Sequence, residues 1–314
     1  MDQYSFAVSA EDAGERLDKY ISFLLPDSSR TYLQKVVKDG LVLVNGRPAK
    51  PSLRLAEEDR IEITLPEPVL LTVEPENIPL DILYEDEDVL VVNKPKGMVV
   101  HPAAGHPDHT LVNAVMAHCG DSLSSINGVL RPGIVHRIDM DTTGSVIVCK
   151  NDRAHRMIAE QLREHSITRI YYAVVRGVIG QDELTVEGNI GRDPKDRKKM
   201  CVVGDGEGKH AVTHVKVLER FRGYTYVACR LETGRTHQIR VHLAWNNHPI
   251  LGDPLYGRPT EDARDGFKAL RGQCLHAGVL GFVHPSTGAY IETTAPLPEY
   301  FTNILDRLRI QNAL

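Results

Sequence analysis

Four prolines, Pro66, Pro68, Pro75 and Pro79, fall within one short stretch of the chain. Each lacks a backbone N–H donor and fixes its own φ, so no helix or central strand can run through the segment. The chain is therefore expected to divide into an amino-terminal module over residues 1–66, a linker over 67–80, and a larger domain over 81–314. A length of 314 residues suits two domains, and 42% hydrophobic with 25% charged residues supplies packed cores rather than a disordered or collagenous chain. No run of 18 apolar residues occurs, and Met1-Asp2-Gln3-Tyr4-Ser5 lacks the basic and apolar regions of a secretory leader. The expectation is a cytoplasmic protein with no membrane association.

The five cysteines, Cys119, Cys149, Cys201, Cys229 and Cys274, are odd in number and match neither a disulfide framework nor C-x-x-C metal ligation. They read as small buried hydrophobes in a reducing compartment. The net charge is -5, so any nucleic-acid contact must come from local basic patches.

One such patch lies in the amino-terminal part. Leu17, Ile21, Leu24 and Leu25 follow helical spacing, as do Leu33, Val36 and Val37, with Gly40 placed to cap the second helix. Leu41-Val42-Leu43-Val44 then runs into Asn45-Gly46, a hairpin signal, and Ile61 to Leu65 alternates as a further strand. Between Arg30 and Arg54 stand six basic residues, Arg30, Lys35, Lys38, Arg47, Lys50 and Arg54, against Asp39 alone. The patch fits either a solvated helix face or a phosphate-contacting surface. The order helix, helix, hairpin, with Gly14-Glu15-Arg16-Leu17-Asp18 and Gly40-Leu41-Val42-Leu43-Val44-Asn45-Gly46, resembles the RNA-binding module of the S-four type over roughly residues 14 to 65.

The larger part mixes strands and helices. Val89 to Asn93, Ser145 to Cys149 and Tyr171 to Val175 read as buried strands, and Thr213 to Val217 and Tyr224 to Leu231 as strands of antiparallel texture. A helix opens at Asn151-Asp152, and another carries Ile239 and Leu243 after Gly234-Arg235-Thr236. Helices are too few for a regular parallel array, so the fold class is α+β around a mixed or antiparallel sheet. Gly204 to Gly208 reads as a mobile loop, following the basic run Arg192 to Lys199.

Histidines are numerous, and His101, His106 and His109 cluster, but no H-E-x-x-H occurs, and the pair His237 and His242, five apart and so on different helical faces, has no carboxylate at ligand spacing beside it. No metal site is expected. A G-x-S-x-G nucleophile elbow and a G-x-x-x-x-G-K-[ST] phosphate loop are both absent.

The polar residues concentrate in Gly133-Ile134-Val135-His136-Arg137-Ile138-Asp139-Met140-Asp141-Thr142-Thr143-Gly144, read as a strand end and charged turn before the strand at Ser145. Asp139 fits a turn aspartate that accepts backbone N–H bonds, or a reactive carboxylate. Asp141 is the obvious second carboxylate, on the same side if the segment is extended and separated if it turns. Arg240 falls in the first turn of its helix, where its guanidinium can reach a carboxylate. In Arg169-Ile170-Tyr171-Tyr172, alternation sends the two tyrosines to opposite faces, one to the core and one to a stacking surface.

Together, His136-Arg137-Ile138-Asp139 with Thr142-Thr143-Gly144, Arg169-Ile170-Tyr171 through Gly177, Gly234 through Leu243, and Asn93-Lys94-Pro95-Lys96-Gly97 resemble the motif set of the RluA-type pseudouridine synthases. Val99 through Pro107 and the amino-terminal module are most similar to the RluD subgroup, which acts on large-subunit ribosomal RNA. The departures are conservative: Ile138 stands where leucine is usual, and Arg169 where lysine is common.

The resemblance implies an isomerase that breaks the uracil N1 to ribose C1′ bond and joins C5 to C1′, with no external reactant and therefore no cofactor. It assigns Asp139 as the carboxylate acting at the sugar, Arg240 as its guanidinium partner, and Tyr171 as a ring stacked on the uracil. A uridine in folded RNA must be flipped out, and Arg137 matches the position that fills the vacated stack. Arg30, Lys35, Lys38 and Arg47 are expected to contact RNA, and Arg192, Lys195, Arg197, Lys198 and Lys199 to grip its backbone elsewhere. The implied partner is large-subunit ribosomal RNA or a pre-ribosomal particle, bound by a monomer. The alternative is a non-catalytic ribosomal-RNA binding or assembly factor, which would tolerate Asp139→Asn.

Overall fold

The computed structural model describes residues 2–25, 30–65, 73–103, 105–120, 122–124, 126 and 132–312. The chain forms two compact units, Met1–Leu71 and Thr72–Leu314. In the first, β1 (Asp2–Ala7) precedes α1 (Leu17–Leu24), α2 (Arg30–Lys38), β2 (Val42–Val44), β3 (Arg47–Pro48) and β4 (Arg60–Leu65). The strands form an antiparallel sheet in the order β1-β4-β2-β3.

Its core gathers Leu17, Ile21, Leu33, Val36, Val37, Ile61 and Ile63, the apolar positions of the two helices and of β4. Asn45 and Gly46 both have positive φ, at 53° and 73°, as a two-residue hairpin turn requires. Asp18 is fully buried and receives Arg16 Nε at 3.0 Å and Gln34 Nε2 at 2.6 Å, so the Gly14 to Asp18 motif ties the start of α1 to α2. The strand β1 was not expected from the sequence: it is a short edge strand whose side chains are largely exposed, and only Tyr4, Phe6 and Val8 alternate.

The second unit contains β5 (Ile82–Glu85), β6 (Val89–Lys94), α3 (Leu111–Cys119), β7 (Thr143–Cys149), α4 (Asp152–Arg163), β8 (Thr168–Arg176), β9 (Glu183–Arg192), β10 (Met200–Val203), β11 (Lys209–Phe221), β12 (Tyr224–Leu231), α5 (Gln238–Trp245), α6 (Pro259–Asp262), β13 (Leu275–Val283), β14 (Tyr290–Thr294) and α7 (Glu299–Asn312). One sheet runs β10-β9-β11-β12-β8-β13-β7-β6-β5, with β14 also paired to β13. The β13 to β7 pairing is parallel and the others are antiparallel, so the fold is α+β around a mixed sheet.

Of the proline-rich segment, residues 66–72 lie outside the described residues. Residues 73–80 lie extended against α3: Asn113 Nδ2 donates to the Glu74 carbonyl at 2.8 Å, Glu76 N donates to Asn113 O at 3.0 Å, and Val73 is buried. This stretch is packed rather than a free tether.

The run from Gly133 forms no strand before the charged turn. Only Ile134 bridges, to Val148 of β7. The reason is His136, whose Nε2 accepts the Ile147 N–H at 3.1 Å, so a side chain takes the place of a backbone partner along β7. Gly204 to Gly208 is the turn joining β10 to β11. Cys149, Cys229 and Cys274 are buried as expected, Cys119 and Cys201 are half-buried, and all five are free.

Candidate active site

The site is built where α5 meets the loop before β7. Gln238, at the first position of α5, is held from both ends: Oε1 accepts Thr233 Oγ1 at 2.7 Å and Arg235 N at 2.9 Å, and Nε2 donates to Val212 O at 2.9 Å. His237 takes a left-handed conformation, φ 56°, and begins the helix abruptly. Arg240 then falls in the first turn, pointing inward and 4% exposed.

A buried guanidinium is costly unless paired. Arg240 donates Nε and Nη2 to the two oxygens of fully buried Asp253 at 2.7 and 2.9 Å, and Nη1 to Asp139 Oδ2 at 2.7 Å. Asp253 is fixed in turn by the N–H groups of Leu255 and Tyr256 at 2.9 and 3.0 Å. Burial opposes the charge on Arg240, but the bonds from Asp253 and then Asp139 outweigh it and hold its pKa above the ordinary value.

Asp139 keeps 19% of its side chain exposed, so a substrate can reach it. His237 Nε2 lies 3.7 Å from its other oxygen, while His237 Nδ1 is bonded to the Tyr256 hydroxyl at 2.8 Å. Burial pushes the His237 imidazole down, against the pull of Asp139. Asp139 O accepts Thr142 N at 3.0 Å, closing a turn that separates the two aspartates: Asp139 faces Arg240, whereas Asp141 lies against Gly272.

The loop is anchored from behind. Lys94, 1% exposed, donates to the carbonyls of Pro95, Met98 and Met140 at 2.9, 2.8 and 2.9 Å. Gln273 Nε2 donates to Thr142 Oγ1 at 3.0 Å, and Thr143 Oγ1 is bonded to His276 Nδ1 at 2.8 Å. Gly144 sits at φ 107°, and a Cβ there would lie 2.2 Å from Ala277 O, so the parallel contact with β13 requires glycine.

The tyrosines separate as alternation requires. Tyr171 lines the same small pocket as Asp139, Arg137 and Arg240, while Tyr172 lies across the sheet against Gly278 and the Tyr226 ring. Burial raises the Tyr171 pKa and the charge of Arg169 opposes it. In front of Asp139 a pocket of about 380 Å³ is lined by Val99, His101, Arg137, Asp141 and Leu255 among others. Arg137 is exposed beside Asp139.

Lys38 and Arg47 are exposed on the amino-terminal unit, whereas the side chains of Arg30 and Lys35 lie outside the described residues. The basic run Arg192 to Lys199 spans the end of β9 and the turn to β10. Among the described residues no three metal-binding side chains converge, and no helix is long and apolar enough to cross a membrane. Two polar groups have no role in the sequence reading, although Lys94 stands in the Asn93 to Gly97 motif. Asp253, in Gly252-Asp253-Pro254, carries only a turn signal, and Lys94 sits at the end of an apolar strand where nothing local betrays its burial.

Residues 88–245 match the family described as RNA pseudouridylate synthase, and residues 15–61 match the S4 domain. The RNA pseudouridine synthase YlyB of Bacillus subtilis (strain 168), itself described as uncharacterized, is 54% identical over 98% of this chain and 99% of its own length. Ribosomal large subunit pseudouridine synthase D of Zymomonas mobilis is 43% identical over 97% of both chains. Among solved structures, Human RNA Pseudouridylate Synthase Domain Containing 1 superposes with a TM-score of 0.56 at 25% identity, covering 77% of this chain and 97% of the human one. With relatives this similar along nearly the whole chain, it belongs to the RNA pseudouridylate synthase family and is an isomerase.

Proposed function

We propose that the protein converts specific uridines to pseudouridine in large-subunit (23S) ribosomal RNA, with Asp139 acting on a flipped-out uridine. The observation that carries the reading is the 2.7 Å pair between Arg240 and Asp139 at the edge of a pocket, backed by the buried Asp253. Two carboxylates share one guanidinium there. Asp253 is sealed and structural, while Asp139 is paired with the same guanidinium and open to substrate.

The reaction breaks N1–C1′, turns the base, and makes C5–C1′. It needs a carboxylate at the sugar and a surface that holds the freed uracil. Asp139 supplies the first and the Tyr171 ring the second, with Arg137 entering the stack that the uridine leaves. The C5 proton must finally depart, and Tyr171, which lines the same pocket as Asp139, carries a hydroxyl that can take part. The ribosomal substrate is inferred from the names of relatives such as the large-subunit synthase D of Zymomonas mobilis, and the S4 domain adds an RNA grip to which Lys38 and Arg47 contribute.

The test is tritium release from unmodified large-subunit ribosomal RNA labelled at uridine C5, for wild type and Asp139→Asn. Release by wild type alone, at similar RNA affinity for both, is the expected result. Turnover by Asp139→Asn would remove Asp139 from its role, and binding without release by either would favour an RNA-binding assembly factor.

A further inference from the structure

A second cleft, about 460 Å³ in volume, opens beside the Asp139 pocket and shares with it Arg137, Tyr171, Leu231 and Arg235. Arg163, His165 and Arg169 also line it, and no aspartate or glutamate does. Arg163 is already paired with Glu160. Arg169 is different.

Two residues before Tyr171 on β8, Arg169 projects to the same face of the strand. It is 6% exposed, its Nη2 donates to the Glu232 carbonyl at 3.2 Å, and its Nε is buried without a hydrogen-bond partner. Gly234 lets the guanidinium pass: a Cβ there would lie 2.6 Å from Nη1. Among the described residues no carboxylate pairs with Arg169: burial opposes its charge, the Tyr171 phenol favours it, and a second guanidinium, Arg235, repels it. Arg235 spends its Nε on His210 O at 2.9 Å and faces no carboxylate in the cleft.

Buried cations in folded proteins are paired. Two convergent guanidinium groups without a counter-charge form a site whose anion comes from outside, and a guanidinium fork matches a phosphate. We propose that the Arg169 and Arg235 cleft binds a phosphodiester of the RNA strand adjoining the nucleotide held at Asp139. The inference rests on the proposed RNA substrate and deepens it: Arg137 and Tyr171 line both cavities, so a base in one sets its neighbouring backbone at the mouth of the other.

The experiment measures affinity for unmodified large-subunit ribosomal RNA across a salt series, for wild type, Arg169→Gln, Arg169→Lys and Arg235→Gln. Each lost phosphate contact on a single strand lowers the slope of log affinity against log salt by about 0.7. Both glutamine variants are expected to bind about tenfold more weakly with a slope reduced by that amount, and Arg169→Lys to recover much of it. Arg235 is half-exposed, so its variant stays readable if Arg169→Gln fails to fold. Unchanged affinity and slope in the glutamine variants, or weaker binding at an unchanged slope, would overturn the assignment. In a parallel arm, inorganic phosphate is expected to raise the melting midpoint of wild type and not of Arg235→Gln. Discrimination by phosphate alone, with RNA binding unaltered, would assign the cleft to a free anion and overturn its place on the strand. None of these readouts requires isomerisation, which tritium release by wild type tests separately.

Discussion

Two arginines stand in adjoining cavities, Arg240 in the Asp139 pocket and Arg169 in the cleft beside it, almost equally buried and oppositely provided for. Arg240 is 4% exposed and bonded to two carboxylates; Arg169 is 6% exposed and has a single backbone carbonyl. A buried charge with all its partners is part of the framework, whereas one without them is held for something absent from the chain. The difference separates a guanidinium that fixes two carboxylates from one left open to an anion.

Removing each charge in turn should have unequal effects. Arg240→Met leaves Asp253 buried with no cation and should cost about 3–5 kcal/mol. Arg169→Met removes a charge that nothing compensates and should cost under about 1 kcal/mol. Urea unfolding of the two variants reads the contrast, and equal losses would show that Arg169 is framework after all. Arg137 lines both cavities, so Arg137→Ala should lower single-turnover isomerisation by about tenfold, or 1.4 kcal/mol, with a smaller change in RNA affinity. A purely phosphate-binding Arg137 would show the reverse.

The smallest effect is a titration. Burial, with the Arg169 charge behind it, pushes the His136 imidazole down to about 3. The unfolded chain, with a histidine pKa of about 6.5, then binds a proton that the folded one refuses. Stability is therefore present above that value and lost as pH falls from about 6.5 towards 3. His136→Gln keeps an acceptor for Ile147 N but cannot titrate, so its urea midpoint should fall less steeply than that of wild type between pH 7 and pH 4.

Much of this was legible in the residues. Val89-Leu90-Val91-Val92 announces a strand buried on both faces, Asn151 an N-cap whose side chain receives Ala154 N, and Tyr224 to Leu231 a strand with the bounds the structure gives it. Asp139 and Arg240 were legible as a possible pair through motif resemblance, because their meeting spans 101 residues and no local pattern encodes it. Arg169 was legible as a residue but not as an orphan: that property depends on which carboxylates fail to reach it. The segment before β7 was misread as a strand because its apolar residues fit one, while the backbone bond it lacks was supplied by the His136 ring. The helix α3 escaped for a similar reason, since its signal rests on a capping box closed by Thr110 and Asn113 rather than on a polar face.

The anchoring of the Asp139 loop also orders events during synthesis. Its fastenings reach far along the chain: Gln273 to Thr142 spans 131 residues and His276 to Thr143 spans 133. Domains fold as units, amino-terminal first, as a chain leaves the ribosome. The small unit holding Lys38 and Arg47 is complete long before β13 emerges, so a nascent chain acquires its basic module early and a fastened Asp139 loop only once β13 has followed. A product shortened ahead of β13 would keep that module and lack the chemistry.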